Sequence, residues 1–135
     1  MAERTTLRHP RGRFFRPLDP AGMPQSHGLA CAPLARGAAS GRPAQVVPAP
    51  SIADGIRIPE PTRADRSFEA VKTTGGSWTV VSESSIERAW REAAKDGLLI
   101  EPTSAAALAG AEMLNVPDGT VVIITGSGLK AVERY

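Results

Sequence analysis

The sequence predicts an α/β fold, and three observations predict it. Val121-Val122-Ile123-Ile124 is a run of four β-branched apolar residues with no alternation, the pattern of a strand covered on both faces as in a parallel sheet. Between Pro61 and that run the pattern changes in the order helix, strand, helix, short apolar segment, helix, strand, which suits a layered α/β architecture. The helix before the final strand is rich in alanine and so offers little bulk between its backbone and whatever it packs on. A chain of 135 residues, 41% hydrophobic and 22% charged, is of the size and balance of one soluble globular domain with a modest core.

From Met1 to about Pro50 the chain is rich in Pro, Gly, Ala and Arg and keeps neither a period of two nor one of 3.6, so residues 1–50 are expected to form a largely unstructured arm ahead of an α/β part over residues 51–135. Pro43, Pro48 and Pro50 each remove a backbone donor and bias the preceding residue away from helix, which predicts an extended approach to Ser51. Ala64 to Lys72 reads as a short helix with Phe68 and Val71 on one side, ended by Gly75-Gly76. Ser77 to Val81 alternates like a strand. Ser82 or Ser84 can cap the next helix, in which Ile86, Ala89, Trp90 and Ala93 fall at i, i+3, i+4 and i+7 and make one apolar stripe ended by Gly97. Trp90, by its place in that stripe, and Trp78, on its strand, are read as core residues rather than ligand platforms. Leu98 to Ile100 leads into Glu101-Pro102, where proline suits a helix start and Thr103 or Ser104 can cap the alanine-rich helix. Asn115 to Gly119 forms the turn into the last strand, which is predicted to be central in the sheet.

Charge and cysteine usage exclude several function classes. The first twenty residues carry a net charge of +3 and the remainder −1. That asymmetry suits a basic arm or an Arg-rich transit peptide and argues against a nucleic-acid-binding domain. The longest apolar runs fall far short of the roughly twenty residues a transmembrane helix needs, and no apolar stretch near the start resembles a secretory signal. Cys31 is the single cysteine, so no intrachain disulfide can form, and a reducing, cytoplasmic location with a buried, inert thiol is the simpler expectation. His9 and His27 lack metal-ligand spacing, and no metal site is predicted.

The candidate site lies where the last strand ends. Ligands of parallel sheets sit at the strands' carboxyl ends, and here Thr125 would present a hydroxyl while Gly126 and Gly128 let the backbone turn and a ligand approach. The same residues also suit a buried strand followed by an ordinary glycine turn. Glu101, at a helix start, is a second candidate for orienting a ligand or loop, and a solvated glutamate balancing the helix dipole is the alternative.

Leu98-Leu99-Ile100-Glu101-Pro102-Thr103-Ser104-Ala105-Ala106-Ala107-Leu108 followed by Thr125-Gly126-Ser127-Gly128-Leu129-Lys130 resembles the C-terminal part of threonine synthase, a pyridoxal-phosphate enzyme of the tryptophan-synthase-β-like superfamily. In that family an E-P-[ST]-S-A-A-A-L segment precedes a strand ending T-G-x-G-L-K. Ser51-Ile52-Ala53-Asp54-Gly55-Ile56-Arg57 is similar to the family's T-I-A-x-G-I-R, Gly75-Gly76-Ser77 and Val80-Val81-Ser82 follow in the family's order, and Cys31-Ala32-Pro33-Leu34 resembles a fainter upstream element. The resemblance covers about residues 31 to 131 and implies a partial, C-terminal portion of the large domain. Residues before Cys31 resemble nothing in the family.

The resemblance implies that Thr125 contacts the pyridine nitrogen of pyridoxal phosphate, that Gly126 and Gly128 shape the backbone beside the ring, and that an amino acid is the substrate. Threonine dehydratases generally place Ser-Gly-Gly at this point, so the threonine here favours the synthase. The lysine that holds the cofactor in the family lies upstream of everything matched, so Lys72, Lys95 and Lys130 do not inherit that role, and Gly12, Gly22, Gly28, Gly37 and Gly41 do not make the usual phosphate cradle. No catalytic residue is therefore assigned, and the isolated chain is expected to be inactive. Two functions stay open: a C-terminal piece of a threonine synthase-like or dehydratase-like lyase, left by truncation or a shifted reading frame, and a non-catalytic interaction or regulatory module that kept the cofactor-side scaffold. Exposed apolar surface is expected to bring self-association.

Overall fold

The computed structural model describes residues 25–129. Strands β1 (Gln25–Gly28) and β2 (Trp78–Val81) pair in parallel, with Gln25 opposite Trp78 and Gly28 opposite Val81. Parallel strands require a long crossover. It carries α1 (Pro33–Gly37), two 3-10 turns at Ala38–Ser40 and Asp54–Ile56, and α2 (Ala64–Thr73), after which α3 (Glu83–Lys95) and α4 (Pro102–Met113) follow β2. Of the residues expected to form an unstructured arm, 1–24 lie outside the described residues. Residues 25–40 correct that expectation, since they hold β1 and α1. The short stretch Gln25–Gly28 has no apolar alternation to announce it, because its hydrogen bonds come from β2, far along the chain.

The helices read from periodicity form much as expected. Ser82 caps α3, its Oγ accepting from the Ser85 N–H at 3.1 Å, and the whole stripe Ile86, Ala89, Trp90 and Ala93 is buried. Gly97 closes α3 with φ +82°, and the Leu98 N–H donates back to the Ala93 carbonyl at 2.8 Å. Trp90 serves the core, and its Nε1–H donates to the Ile100 carbonyl at 2.8 Å, tying the apolar segment after α3 back onto the helix. Trp78 is half-buried, with the rings of His27 and Phe68 each 5.4 Å away. The core is a single cluster in which Val81, Ile86, Trp90 and Ile100 meet Ala105, Ala106 and Ala109 of α4. Among the described residues no helix is long and apolar enough to cross a membrane.

Helix α4 packs on both strands and on α3. Its buried face, Ala105, Ala106, Ala109 and Gly110, is uniformly small, so the backbone comes close enough that a Cβ built on Gly110 would overlap the Ser26 side chain and crowd the Thr79 methyl at 3.3 Å. The N-cap of α4 is Glu101, with Pro102 in the first turn and no side-chain cap bond. Thr103 and Ser104, expected as caps, stand inside the helix and turn their hydroxyls to other segments.

The final strand is the main correction. Val121–Ile124 is not part of any sheet among the described residues, and Val121, Ile123 and Ile124 are exposed by 39%, 65% and 39%. The central, doubly covered position predicted for this run is therefore wrong in this chain. A strand needs a neighbour's hydrogen-bonding edge, and apolarity on both faces says that a segment wants cover, not that the cover lies in the same chain. The nearest approach to pairing is one antiparallel bridge between Ile100 and Ser127.

Gly110→Val is expected to destabilise the fold. Valine gains helix propensity over glycine of less than about 1 kcal/mol, while forcing atoms into a packed contact costs about 1–3 kcal/mol. Urea unfolding followed by circular dichroism checks it, and an unchanged midpoint would show that α4 does not press on β1.

Candidate functional site

The residues singled out in the sequence meet at the N-terminal end of α4. The Gly126 peptide is gripped from both sides: the Glu101 N–H donates to the Gly126 carbonyl at 3.1 Å, and the Gly126 N–H donates to Ser104 Oγ at 3.0 Å. A third bond, from the Gly128 N–H to the Leu99 carbonyl at 2.9 Å, fixes the next turn of the loop. The space a Gly126 side chain would occupy is filled by the Glu101 carboxyl group, so only glycine fits there without displacing it. Ser104 is 3% exposed, and a buried hydroxyl serving as acceptor is a firm anchor.

A second segment docks on the same helix end. The Gly55 N–H, in the 3-10 turn, donates to Thr103 Oγ1 at 3.2 Å. That turn is itself held by Glu83 in the first turn of α3, whose two carboxylate oxygens accept from Ser51 Oγ at 2.8 Å and from the Ile52 N–H at 3.1 Å. A carboxylate at a helix N-terminus is also favoured by the dipole. The segments 51–57, 101–104 and 126–128 thus converge on the start of α4.

Thr125 stands immediately before the fixed peptide and is exposed. It lines neither of two depressions on the surface, one along α3 and one of about 420 Å³ between α3 and α4 lined by Ala89, Ala93, Leu108, Val116, Glu92 and Glu112. Among the described residues no strand pairs with Val121–Ile124. Glu101 is half-buried, with its carboxyl group where a Gly126 side chain would lie. Lys72 and Lys95 are exposed, one late in α2 and one at the end of α3, while Lys130 lies outside the described residues. Ser104, Thr103 and Glu83 were not singled out as site residues. Thr103 and Ser104 had as their only signal membership of a family-like segment, since which hydroxyl points where is set by the packing of α4, and Glu83 had none.

Cys31 is buried, and burial raises its thiol pKa more than the nearby Arg57 and Arg36 lower it. No group of three or more metal-ligating side chains occurs among the described residues.

With this geometry in hand, comparison with known proteins is informative. Residues 12–126 match the family described as pyridoxal-phosphate dependent enzyme. The match begins well before Cys31, correcting the expectation that nothing upstream resembles the family. The chain is similar to the threonine synthase of Synechocystis sp., 36% identical over 85 residues, and to that of Methanocaldococcus jannaschii, 34% identical over 87 residues, each alignment taking in 59% of this chain and 22% of the relative. The chain therefore spans about a fifth of the length of these relatives. In fold it is similar to a T.th. threonine deaminase, with TM-score 0.59 and 22% identity over 78% of this chain and 39% of that one, and to maize serine racemase, with TM-score 0.52 and 22% identity over 67% and 28%.

Two outcomes follow. Ser104→Ala removes the acceptor for the Gly126 N–H, and the loss of about 1 kcal/mol should appear as faster amide exchange at Gly126 while the α3 amides keep their protection; equal protection in the variant would show the bond to be idle. Because the folded chain favours the neutral Cys31 thiol, the stability this contributes is complete below the ordinary thiol value near 9.0 and is lost as pH rises from there through the raised folded value. Cys31→Ala should flatten that alkaline decline in a series of unfolding curves, and an identical decline in the variant would exclude Cys31 as its source.

Proposed function

Since the chain belongs to the family of pyridoxal-phosphate dependent enzymes, we propose that it forms the part of a threonine synthase-type lyase that lies against the pyridine-nitrogen edge of the cofactor. The observation that carries this reading is the Gly126 peptide, gripped by Glu101 and Ser104, with Thr125 exposed beside it. These residues fit one edge of the cofactor: a hydroxyl at a fixed place, next to a glycine whose missing side chain leaves room that Glu101 fills. The lysine and phosphate cradle belong to another portion of such a domain.

When bound, pyridoxal phosphate serves as an electron sink for bond breaking at the substrate's carbons. Thr125 would hold the ring nitrogen through a neutral hydroxyl, which does not impose a proton on it as a carboxylate does. Ser104 and Glu101 would keep Thr125 from drifting, and the 3-10 turn at Gly55 would brace the same helix end. The parent reaction is the conversion of O-phosphohomoserine and water to threonine and phosphate. Both curated relatives above are threonine synthases, and Thr125-Gly126-Ser127-Gly128 departs from the Ser-Gly-Gly of dehydratases. A second reading, a non-catalytic interaction module, is supported by the exposed positions of Lys72 and Lys95.

A chimera in which residues 51–129 of this chain replace the matching stretch of the Synechocystis enzyme separates the readings. It is expected to release phosphate from O-phosphohomoserine with formation of threonine, and Thr125→Val within it to lower kcat about ten- to a hundredfold with little change in Tm. A chimera that folds and binds cofactor but forms no threonine would favour the module, and full turnover with valine at this position would remove Thr125 from the site.

A further inference from the structure

An aspartate followed by glycine can rearrange its own backbone, because a glycine N–H has no side chain beside it to keep the neighbouring carboxyl group away. The chain holds three such pairs, Asp54-Gly55, Asp96-Gly97 and Asp118-Gly119, and all six residues are exposed. Access to water therefore does not separate them, but hydrogen bonding does. The Gly55 N–H donates to Thr103 Oγ1 at 3.2 Å, and the Gly97 N–H donates to the Ala94 carbonyl at 3.0 Å. The aspartates before them are fixed as well: Asp54 opens a 3-10 turn and its carbonyl accepts from the Arg57 N–H, while Asp96 caps α3 with its N–H on the Glu92 carbonyl. The third pair differs. Residues 117–120 form a turn closed by the Thr120 N–H on the Pro117 carbonyl at 3.2 Å, which leaves the Gly119 N–H between them with no acceptor among the described residues. Gly119 has φ +88°, and a Cβ built on it would meet nothing within 4 Å.

We propose that Asp118-Gly119 is a site of spontaneous isoaspartate formation, and that the structure around Asp54 and Asp96 suppresses the same reaction there. The Gly119 nitrogen attacks Cγ of the protonated Asp118 side chain. An N–Cγ bond forms, and the carboxyl hydroxyl leaves as water together with the amide proton. Water then opens the cyclic imide on either side. Breaking the new N–Cγ bond restores aspartate, whereas breaking the original peptide C–N bond leaves the chain running through Cγ with the α-carboxyl group free, and no atom is gained or lost overall. A nitrogen already donating to a fixed acceptor must give up that bond before its peptide can turn toward the carboxyl group. Gly55 and Gly97 carry that cost and Gly119 does not. The product places an extra backbone carbon in the turn, at the entry to Val121–Ile124. This inference does not rest on the proposed function.

Incubation of the 135-residue chain at neutral pH, folded and in urea, followed by peptide mapping with electron-transfer mass spectrometry, tests it. In the folded chain isoaspartate is expected to accumulate at residue 118 at least about fivefold faster than at 54 or 96, the factor that one hydrogen bond of modest net strength withholds. In urea all three glycine amides are open, and the three rates should converge. Thr103→Val removes the acceptor for Gly55 and should raise the rate at 54 while that at 118 stays the same. Equal rates at the three pairs in the folded chain would overturn the proposal, as would a folded chain that forms no isoaspartate at 118. The same ranking persisting in urea would overturn it too, because local sequence would then set the rates. A rate at 54 unmoved by Thr103→Val would remove the protection assigned to the Gly55 bond.

Discussion

Helix α4 comes close to the two-stranded sheet because its buried residues beyond the first turn, Ala105, Ala106, Ala109 and Gly110, carry nothing larger than a methyl group. Ala105, Ala106 and Ala109 lie in the core, and Gly110 comes so close to β1 that the Ser26 side chain takes the place of its Cβ. A larger residue on that face would lift the helix off the strands. Everything at the candidate site depends on this approach, because the start of α4 carries the donors and acceptors that fix the surrounding segments. Packing costs α4 little, since alanine loses almost no side-chain entropy on burial.

Two separate stretches use that helix end as a common support, and the adjoining helix braces one of them. Thr103 takes the turn at Gly55, Ser104 and the Glu101 backbone take Gly126, and Glu83 of the adjoining helix secures Ser51 and Ile52. These are neutral or half-buried hydrogen bonds, each modest in net energy but expensive to leave unmade once the segment is buried. By contrast the surface ion pairs, such as Arg88 with Glu112 at 2.9 Å, are about half exposed on both sides and contribute little. The site is therefore held by short, specific hydrogen bonds, two of them to the Glu83 carboxylate, and Thr125 stands exposed beside it.

Family membership gives that arrangement its meaning. The fold neighbours at 22% identity establish the architecture alone, while the match over residues 12–126 makes dependence on pyridoxal phosphate a property of the family. The side chains of Val121–Ile124 are of the kind that other secondary structure covers.

The sequence by itself marked α2, α3 and α4 and the buried stripe of α3, though not α1. In α3, Ser82, Ile86, Ala89, Trp90, Ala93 and Gly97 each take the place their spacing assigned, because helix formation is a matter of contacts three and four residues apart. It also marked the segments that meet at the site, although not how they meet. Thr103 and Ser104 read as caps and proved to be braces, since a hydroxyl in the first helical turn takes whichever partner packing brings to it. The strands were legible only in part. β2 showed its alternation, but β1 needed a partner some fifty residues away, and Val121–Ile124 has strand chemistry without a strand's neighbours. Only the tertiary structure decided these, because a helix satisfies its backbone within itself, whereas a strand exists only where another strand supplies the other half of its hydrogen bonds.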